Sequence, residues 1–446
     1  AIAPPRTCCE WARHFDRLSI RMRSAGAAAR TAVVKGGLWR GAKEINLASV
    51  PQVRRYLYED LALPWQLKED DDEDPTTNRD AVYELLQVAG LPGHEREFLD
   101  ALLEFRGAAR SLSKDVRGLV VDPMTGRVHP HWSSMGVTGR PQSTDPNVSN
   151  IPDKKRDPDS LRSMYVAAPG CVLVAADKDA AELRGVALLA GDETWLDLIT
   201  KKDRGELLQE QKIDLHKFNG GLFFGKPDWW NIGPEERDFS KNLIYLFFYG
   251  GSARKAMTVM RQVVKFKDGV PFRPYATFTL STTREGRPGA RQLRNKLLRA
   301  HPNLERWWSK TIEDWRKDRF LREPYLGRVR CFLDGEGSDR GEGENQRNEL
   351  INYRVQALIA SQVSGSGAVG TVIDEIGWPW TRAGGLGGRG LIHHGYDCLM
   401  VEVAKGRVEE AKSILESAMT CTAEYEGRSL LFPAKAKVGR RWSELV

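Results

Sequence analysis

The chain has 446 residues, 41% hydrophobic and 28% charged, with a formal net charge of +7. That length exceeds one typical domain and the composition excludes a disordered or fibrous chain, so two or three lobes with their own cores are expected. The basic excess favours a polyanionic partner, no apolar run is long enough to span a membrane, and six scattered cysteines without a CxxC pair exclude a zinc site or a disulfide framework.

The sequence opens on Ala1, so residues are expected upstream of it. Trp11, Phe15, Leu18 and Met22 recur at helical spacing, which predicts a basic helix over residues 10–32 rather than a transit peptide. A second helix is predicted over 50–61, with Ser49 as N-cap and Pro51 in the first turn. The acidic run 68–74 reads as a loop, and helices follow over 78–88 and 95–111. Arg106, Arg110 and Lys114 form a basic stripe at the end of the latter, suited to a phosphate backbone and equally to solvent. Strands are predicted over 119–122 and 127–132, around a turn at 123–126. The polar loop 138–152 carries Arg140, Asn147 and Asn150, side chains able to reach minor-groove acceptors or sugar edges.

An apolar run over 171–176 reads as a buried strand that stops at Asp177. A helix over 180–190 follows, with Leu183, Val186, Ala187 and Ala190 inward and Glu182 in its first turn. Residues 214–325 read as mostly helical, with a β excursion over 263–284, and 345–375 as a long helix or a pair. The glycine-rich turn 384–390 is too irregular for a dinucleotide fingerprint. Strands over 391–392 and 399–401 flank Asp397 as a hairpin, and a last strand covers 431–438.

Asp177 and Asp397 each stand at the end of a strand. One carboxylate from each of two neighbouring strands is an economical cradle for divalent cations, which favour hard oxygen ligands, and the carbonyl of Lys178 offers another oxygen. Either aspartate alone reads as a turn residue. Residues 234–249 form a helix started by Pro234 and stopped by Gly250 and Gly251. Four residues advance about 400° and rise roughly 6 Å, so Arg237, Lys241, Tyr245 and Tyr249 trace one slowly turning stripe. Its basic end suits a triphosphate and its aromatic end a base and sugar; His216 adds a phosphate contact from the helix before it. A solvated Arg/Lys pair with two packing tyrosines is the plainer alternative.

In combination these residues resemble the polymerase portion of family A DNA polymerases, the bacterial polymerase I and phage replicase group. Residues 177–184 are similar to its motif A, Arg237, Lys241, Tyr245, Tyr249 and Gly250 to motif B, and Tyr396, Asp397 and Cys398 to motif C. The loop segments 138–140, 145–147 and 150–152, the segment 352–356 and the ending 437–442 also resemble the family, whose likeness covers nearly all of the chain. The resemblance implies an α+β fold of right-hand polymerase architecture, with an antiparallel-sheet palm and helical fingers and thumb. It implies a thumb over 1–118, palm over 119–213, fingers over 214–345 with an insertion at 263–284, and palm again over 346–446.

The implied activity is that of a DNA-templated DNA polymerase, with two Mg2+ ions as cofactor and Mn2+ as a substitute. Asp177, Asp397 and the Lys178 carbonyl would hold metal. Lys241 would be catalytic and, with Arg237 and His216, would hold the triphosphate. Tyr245 and Tyr249 would meet the nucleotide, and Glu182 would crowd a ribose 2′-hydroxyl. Arg140, Gln356, Asn147, Asn150, Tyr396, Arg106, Arg110 and Lys114 would touch primer-template DNA. Two departures stand out. Motif C usually reads His-Asp-Glu, and Lys178 and Asp179 replace the common Tyr and Ser of motif A.

The alternatives are a single-subunit RNA polymerase, opposed by Glu182 and the 145–147 loop, and a catalytically silent polymerase-like module that binds primer-template, kept open by the altered motif C. Expected partners are primer-template DNA and deoxynucleoside triphosphates, with no membrane; a processivity or replisome partner is not specified. The expected location is the cytoplasm of a bacterial or phage-infected cell, with an organellar one left open. No acidic exonuclease constellation precedes the thumb helices.

Overall fold

The structure, a computed structural model, describes residues 9–41, 44–67, 75–88, 90–133, 136–152, 160–206, 214–267, 270–283, 286–332, 342–365, 367–377 and 390–445. The acidic run 68–74 and all but the last residue of the glycine-rich turn 384–390 lie outside these.

The chain begins with a helical layer of α1 (Cys9–Gly36), α2 (Val50–Arg55), α3 (Arg79–Leu85) and α4 (Gly93–Arg110). Small residues Ala29 and Ala32 let α1 lie close along α4, where Phe98, Leu99 and Leu102 complete a core with Tyr56 and Val82. Asn78 caps α3 by accepting from the Ala81 N–H at 2.8 Å. Ser49 occupies the cap position of α2, but its side chain makes no cap bond, and α2 ends at Arg55, where the backbone widens into a looser turn through Asp60.

The turn at 123–126 forms, with the Asp122 carboxylate accepting from Met124 N–H and the Thr125 hydroxyl. The segments expected as strands on either side of it share the backbone bond from Asp122 N–H to the Arg127 carbonyl at 2.8 Å, but form no named strand pair. Leu119 and Val128 are drawn into the core instead, and β1 (His131–Ser133) pairs with β2 (Gln142–Thr144).

The centre is a four-stranded antiparallel sheet whose strands come from distant parts of the chain. β3 (Cys171–Lys178) is followed by the helices α5 (Ala181–Ala190), α6 (Glu193–Arg204), α7 (Leu215–Phe224), α8 (Pro234–Phe248) and α9 (Ala253–Arg261). The excursion is the short hairpin β4 (Lys265–Lys267) and β5 (Val270–Phe272), after which Tyr275 and Phe278 pack on Phe239 with centroids 5.2 Å apart. Helices α10 (Ala290–Ala300) and α11 (Asn303–Asp318), the hairpin β6 (Phe320–Arg322) and β7 (Val329–Cys331), and α12 (Glu342–Ala360) and α13 (Ala368–Val372) follow. The last part holds β8 (Gly390–His394), β9 (Cys398–Ala404), α14 (Val408–Met419), β10 (Cys421–Tyr425), β11 (Arg428–Phe432) and β12 (Ala434–Gly439).

The sheet order is β12–β3–β9–β8. β3 runs two residues further than expected because Lys178 still pairs with Ala434, and its N–H donates to the Asp397 carbonyl at 3.0 Å. The single strand expected over 431–438 is two, parted at Pro433, which has no N–H for a ladder. Along β3 the side chains alternate. Leu173 and Ala175 join Met400, Tyr165 and Trp442 on one face, while Val174 and Ala176 join Val401, Leu415 and Met419 on the other. A separate helical core collects Leu183, Trp195, Phe223, Leu243, Phe247, Trp308 and Val355 from α5 to α12.

Candidate active site

The end of the central sheet carries both predicted carboxylates. Asp177 lies opposite Cys398 in the β3–β9 register, and Asp397 sits in the tight β8–β9 turn, closed by Gly395 N–H donating to the Cys398 carbonyl at 2.8 Å. Burial, followed by the neighbouring Asp177, pushes the Asp397 carboxyl up to about 6. Burial also raises Asp177, against the lowering contributions of the Cys398 thiol, Lys437 and Arg162. The two acids are therefore close enough to repel each other in a poorly solvated place.

A cavity of about 530 Å³ opens beside them. Its walls include Asp397 and Lys178 from the sheet, Asp179 and Glu182 from the start of α5, and Lys202 from α6. The lining also includes Asp214 and His216 at the start of α7 with Arg237, Lys241 and Tyr245 of α8. Asp177 lies just behind this wall, in the register of Leu173 and Ala175, and does not line it.

The backbone explains the placement. Pro234 starts α8, and Gly250 ends it at φ +78, where a Cβ would also stand 3.0 Å from Ile351. Asp214 caps α7 by accepting from His216 N–H at 2.9 Å, and its other oxygen holds Arg237. His216 is 7% exposed, packs edge-on to Tyr245 with centroids 5.5 Å apart, and leaves Nδ1 buried without a hydrogen-bond partner. Burial, then Lys241, pushes its pKa down to about 4, so the ring is neutral. Asp179 is held by Lys202 and by Arg184 at 3.2 Å.

Arg184, wholly buried, also grips Asp203 with two bonds of 2.7 Å. The Lys178 side chain leaves the site: its ammonium donates to the Met419 carbonyl at 2.5 Å, with Cys421 Sγ at 3.3 Å. Only its backbone remains available to a ligand.

On the far side, Arg140 Nη2 donates to Glu182 Oε1 at 3.0 Å, and its guanidinium lies 3.3 Å from the centre of the Tyr396 ring. The Tyr396 hydroxyl lies 3.4 Å from the Gln356 carbonyl, and Tyr249, at the end of α8, is half-buried near Glu182 and Tyr396. Asn147 and Asn150 are exposed and bonded to each other at 3.2 Å.

The basic stripe lies elsewhere. Arg106 donates to the Thr77 carbonyl and lines a second cavity with Asn78 and Phe105, while Arg110 and Lys114 are exposed beyond it. Sequence reading missed Asp179, Lys202 and Asp214 as wall residues. Asp214, an acid two residues before His216 at a helix start, carried a readable capping signal; the partners of Asp179 come from α5 and α6 and carried none.

Among the described residues no group of three or more His, Cys, Asp and Glu side chains forms a ready-made cation cage. Asp397, crowded by Asp177 and sharing the cavity with Arg237 and Lys241, nevertheless fits Mg2+, which keeps several waters and takes one or two carboxylates together with phosphate oxygens. Such a wall can hold a metal-bound polyphosphate between its acidic and basic sides.

Comparison with known proteins places the chain among relatives. The chain is 26% identical over 397 residues to a thermostable DNA polymerase I of Thermus thermophilus, covering 88% of this chain and 41% of that protein. It is 28% identical over 333 residues to DNA polymerase I of Chloroflexus aurantiacus, covering 73% of this chain and 30% of that one. It thus spans less than half the length of these relatives. The fold is similar to that of the POL domain of Pol1 from M. smegmatis, solved in complex with DNA primer-template and dNTP. The TM-score is 0.73 at 23% identity, covering 100% of this chain and 68% of that one. The architecture is accordingly the α+β right hand, with an antiparallel-sheet palm and helical fingers and thumb. The sequence matches the model of DNA polymerase family A across residues 19–444, and the chain belongs to that family.

Proposed function

We propose that this chain extends a DNA primer along a DNA template, adding deoxynucleotides to the primer 3′-hydroxyl by phosphoryl transfer with two divalent cations. One observation carries the reading. A single cavity is lined by Asp397 and Lys178, at the end of the β3–β9 pair, together with Arg237, Lys241 and His216. In this reading residues 1–118 are the thumb, 119–213 and 346–446 the palm, and 214–345 the fingers, with 263–284 inserted.

Mg2+, or Mn2+ in its place, would be held by Asp177, Asp397 and the Lys178 carbonyl, and when bound supplies charge neutralisation and activation of the attacking hydroxyl. The chain does the positioning, which is most of the work in phosphoryl transfer. Arg237 exchanges Asp214 for phosphate oxygens, and Lys241 lies where negative charge gathers on the leaving pyrophosphate. Neutral His216 offers a ring nitrogen to the same group. Tyr245 and Tyr249 present ring faces to the base, and Glu182 crowds the sugar edge. Arg140, Tyr396, Gln356, Asn147 and Asn150 flank the primer-template, with Arg110 and Lys114 nearer the duplex backbone and Arg106 tied to Thr77. The acidic group held at the sugar side favours a deoxy substrate over the single-subunit RNA polymerase alternative.

The test is extension of a primed template with deoxy- or ribonucleotides, with and without Mg2+. Asp397→Asn is expected to abolish extension while duplex binding persists. A wild-type chain that binds primer-template but never extends it would support the silent-module alternative instead.

A further inference from the structure

We propose that Tyr396 is a positioning residue for sugar selection: its ring holds the Arg140 guanidinium on Glu182 and away from Asp397. The inference rests on the polymerase reading above.

Arg140 comes from the connection between β1 and β2 and belongs to neither strand. Gly139 before it has φ +74, and Arg328 lies over its missing side chain, so the backbone at this point is pinned. The direction of the Arg140 side chain is left to what it touches. Two acids compete for it. Glu182 is bonded to it at 3.0 Å, and Asp397 feels its charge. The Tyr396 ring decides between them, with the guanidinium carbon 3.3 Å from the ring centre. A guanidinium over an aromatic face is attracted by the ring's negative quadrupole, more strongly where water is scarce.

Tyr396 precedes Asp397 in the same tight turn. The hairpin that delivers a metal carboxylate therefore also delivers the surface that keeps a cation off it. Glu182, neutralised on one side by Arg140, keeps a fixed position at the sugar edge; without the ring, Glu182 loses this partner as Arg140 turns towards Asp397.

The experiment compares Tyr396→Phe, Tyr396→Leu and Tyr396→Met in single-nucleotide insertion, reading kcat/KM for deoxy- over ribonucleotide. Phe keeps the ring face and is expected to hold the ratio within about twofold of wild type, while Leu and Met lower it about tenfold, or about 1.4 kcal/mol. Arg140→Ala is expected to lower it similarly, with Tyr396→Leu adding nothing on top.

A second readout needs no extension. The Arg140 Nε–H resonance of the free protein is shifted upfield by the ring, remains so in Tyr396→Phe, and moves to its exposed position in Tyr396→Leu and Tyr396→Met. Full selectivity in the Leu and Met variants, equal loss in Phe and Leu, additive effects of the two removals, or an unshifted resonance would each overturn the proposal. A wild-type chain that extends no primer overturns the polymerase reading and the selectivity claim with it, while the Arg140 resonance still decides the positioning.

Discussion

Cys398 lies opposite Asp177 in the β3–β9 register, and its thiol works against the burial that raises that carboxyl. Burial, then Asp177, raises the thiol well above its usual value, so it stays a proton donor and adds no negative charge beside the two aspartates. Cys398→Glu is expected to supply a third hard ligand and lower the Mg2+ concentration for half-maximal extension about tenfold, read from a metal titration of primer extension. Cys398→Ser, which keeps a donor, is expected to leave that requirement near wild type. Glu182→Ala removes the acid at the sugar edge and frees Arg140. Ribonucleotide insertion should rise while deoxynucleotide insertion changes little, and equal ratios before and after would locate sugar selection elsewhere.

Among the elements, α5 and α6 are bound to the sheet end through one side chain. Arg184 joins the Asp179 carbonyl and carboxylate, the Asp203 carboxylate and the Leu431 carbonyl. Arg184→Met would strand these groups, at a cost of about 3–5 kcal/mol in unfolding free energy, measured by urea denaturation. At the end of α8, Gly250→Ala forces a Cβ into left-handed backbone and onto Ile351. It is expected to cost about 1–2 kcal/mol in the same measurement.

These cases mark where the sequence is readable. β3, α5 and α8 follow from apolar runs, periodicity and caps within one segment, and Asp177 and the Arg237–Tyr249 stripe are placed by those elements, Asp397 by the β8–β9 turn. The β1–β2 pairing, the split at Pro433 and the whole of β10 depend on which distant strand accepts each ladder. The Arg184 and Arg140 contacts depend on groups far away in the chain, and the withdrawal of Lys178 follows from strand alternation, which turns it onto the α14 face.

For the molecule as a whole, buried neutral histidines lower stability in acid, against the opposing effect of the raised Asp397 carboxyl. His393 packs between Trp132 and Trp442, and burial, then Arg162, pushes it down to about 3; burial pushes His394 to about 4. An unfolded histidine takes a proton at about pH 6.5. Below that pH the unfolded chain binds protons that the fold refuses, so stability falls as pH drops from about 6.5 towards about 4. Urea midpoints at pH 7 and pH 5 should show this loss, and His393→Gln should reduce it. Duplex binding is expected to weaken steeply with added salt, as phosphate contacts require, with binding curves across a salt series as the check.

The sheet order has a consequence for biosynthesis. β3 is paired on one side by β9 and on the other by β12, both translated after the whole helical insert. A nascent chain therefore holds this apolar strand with both edges open until β9 is made, and with one edge open until β12 leaves the ribosome. Premature termination before β12 would release a polypeptide disposed to pair that edge with other chains.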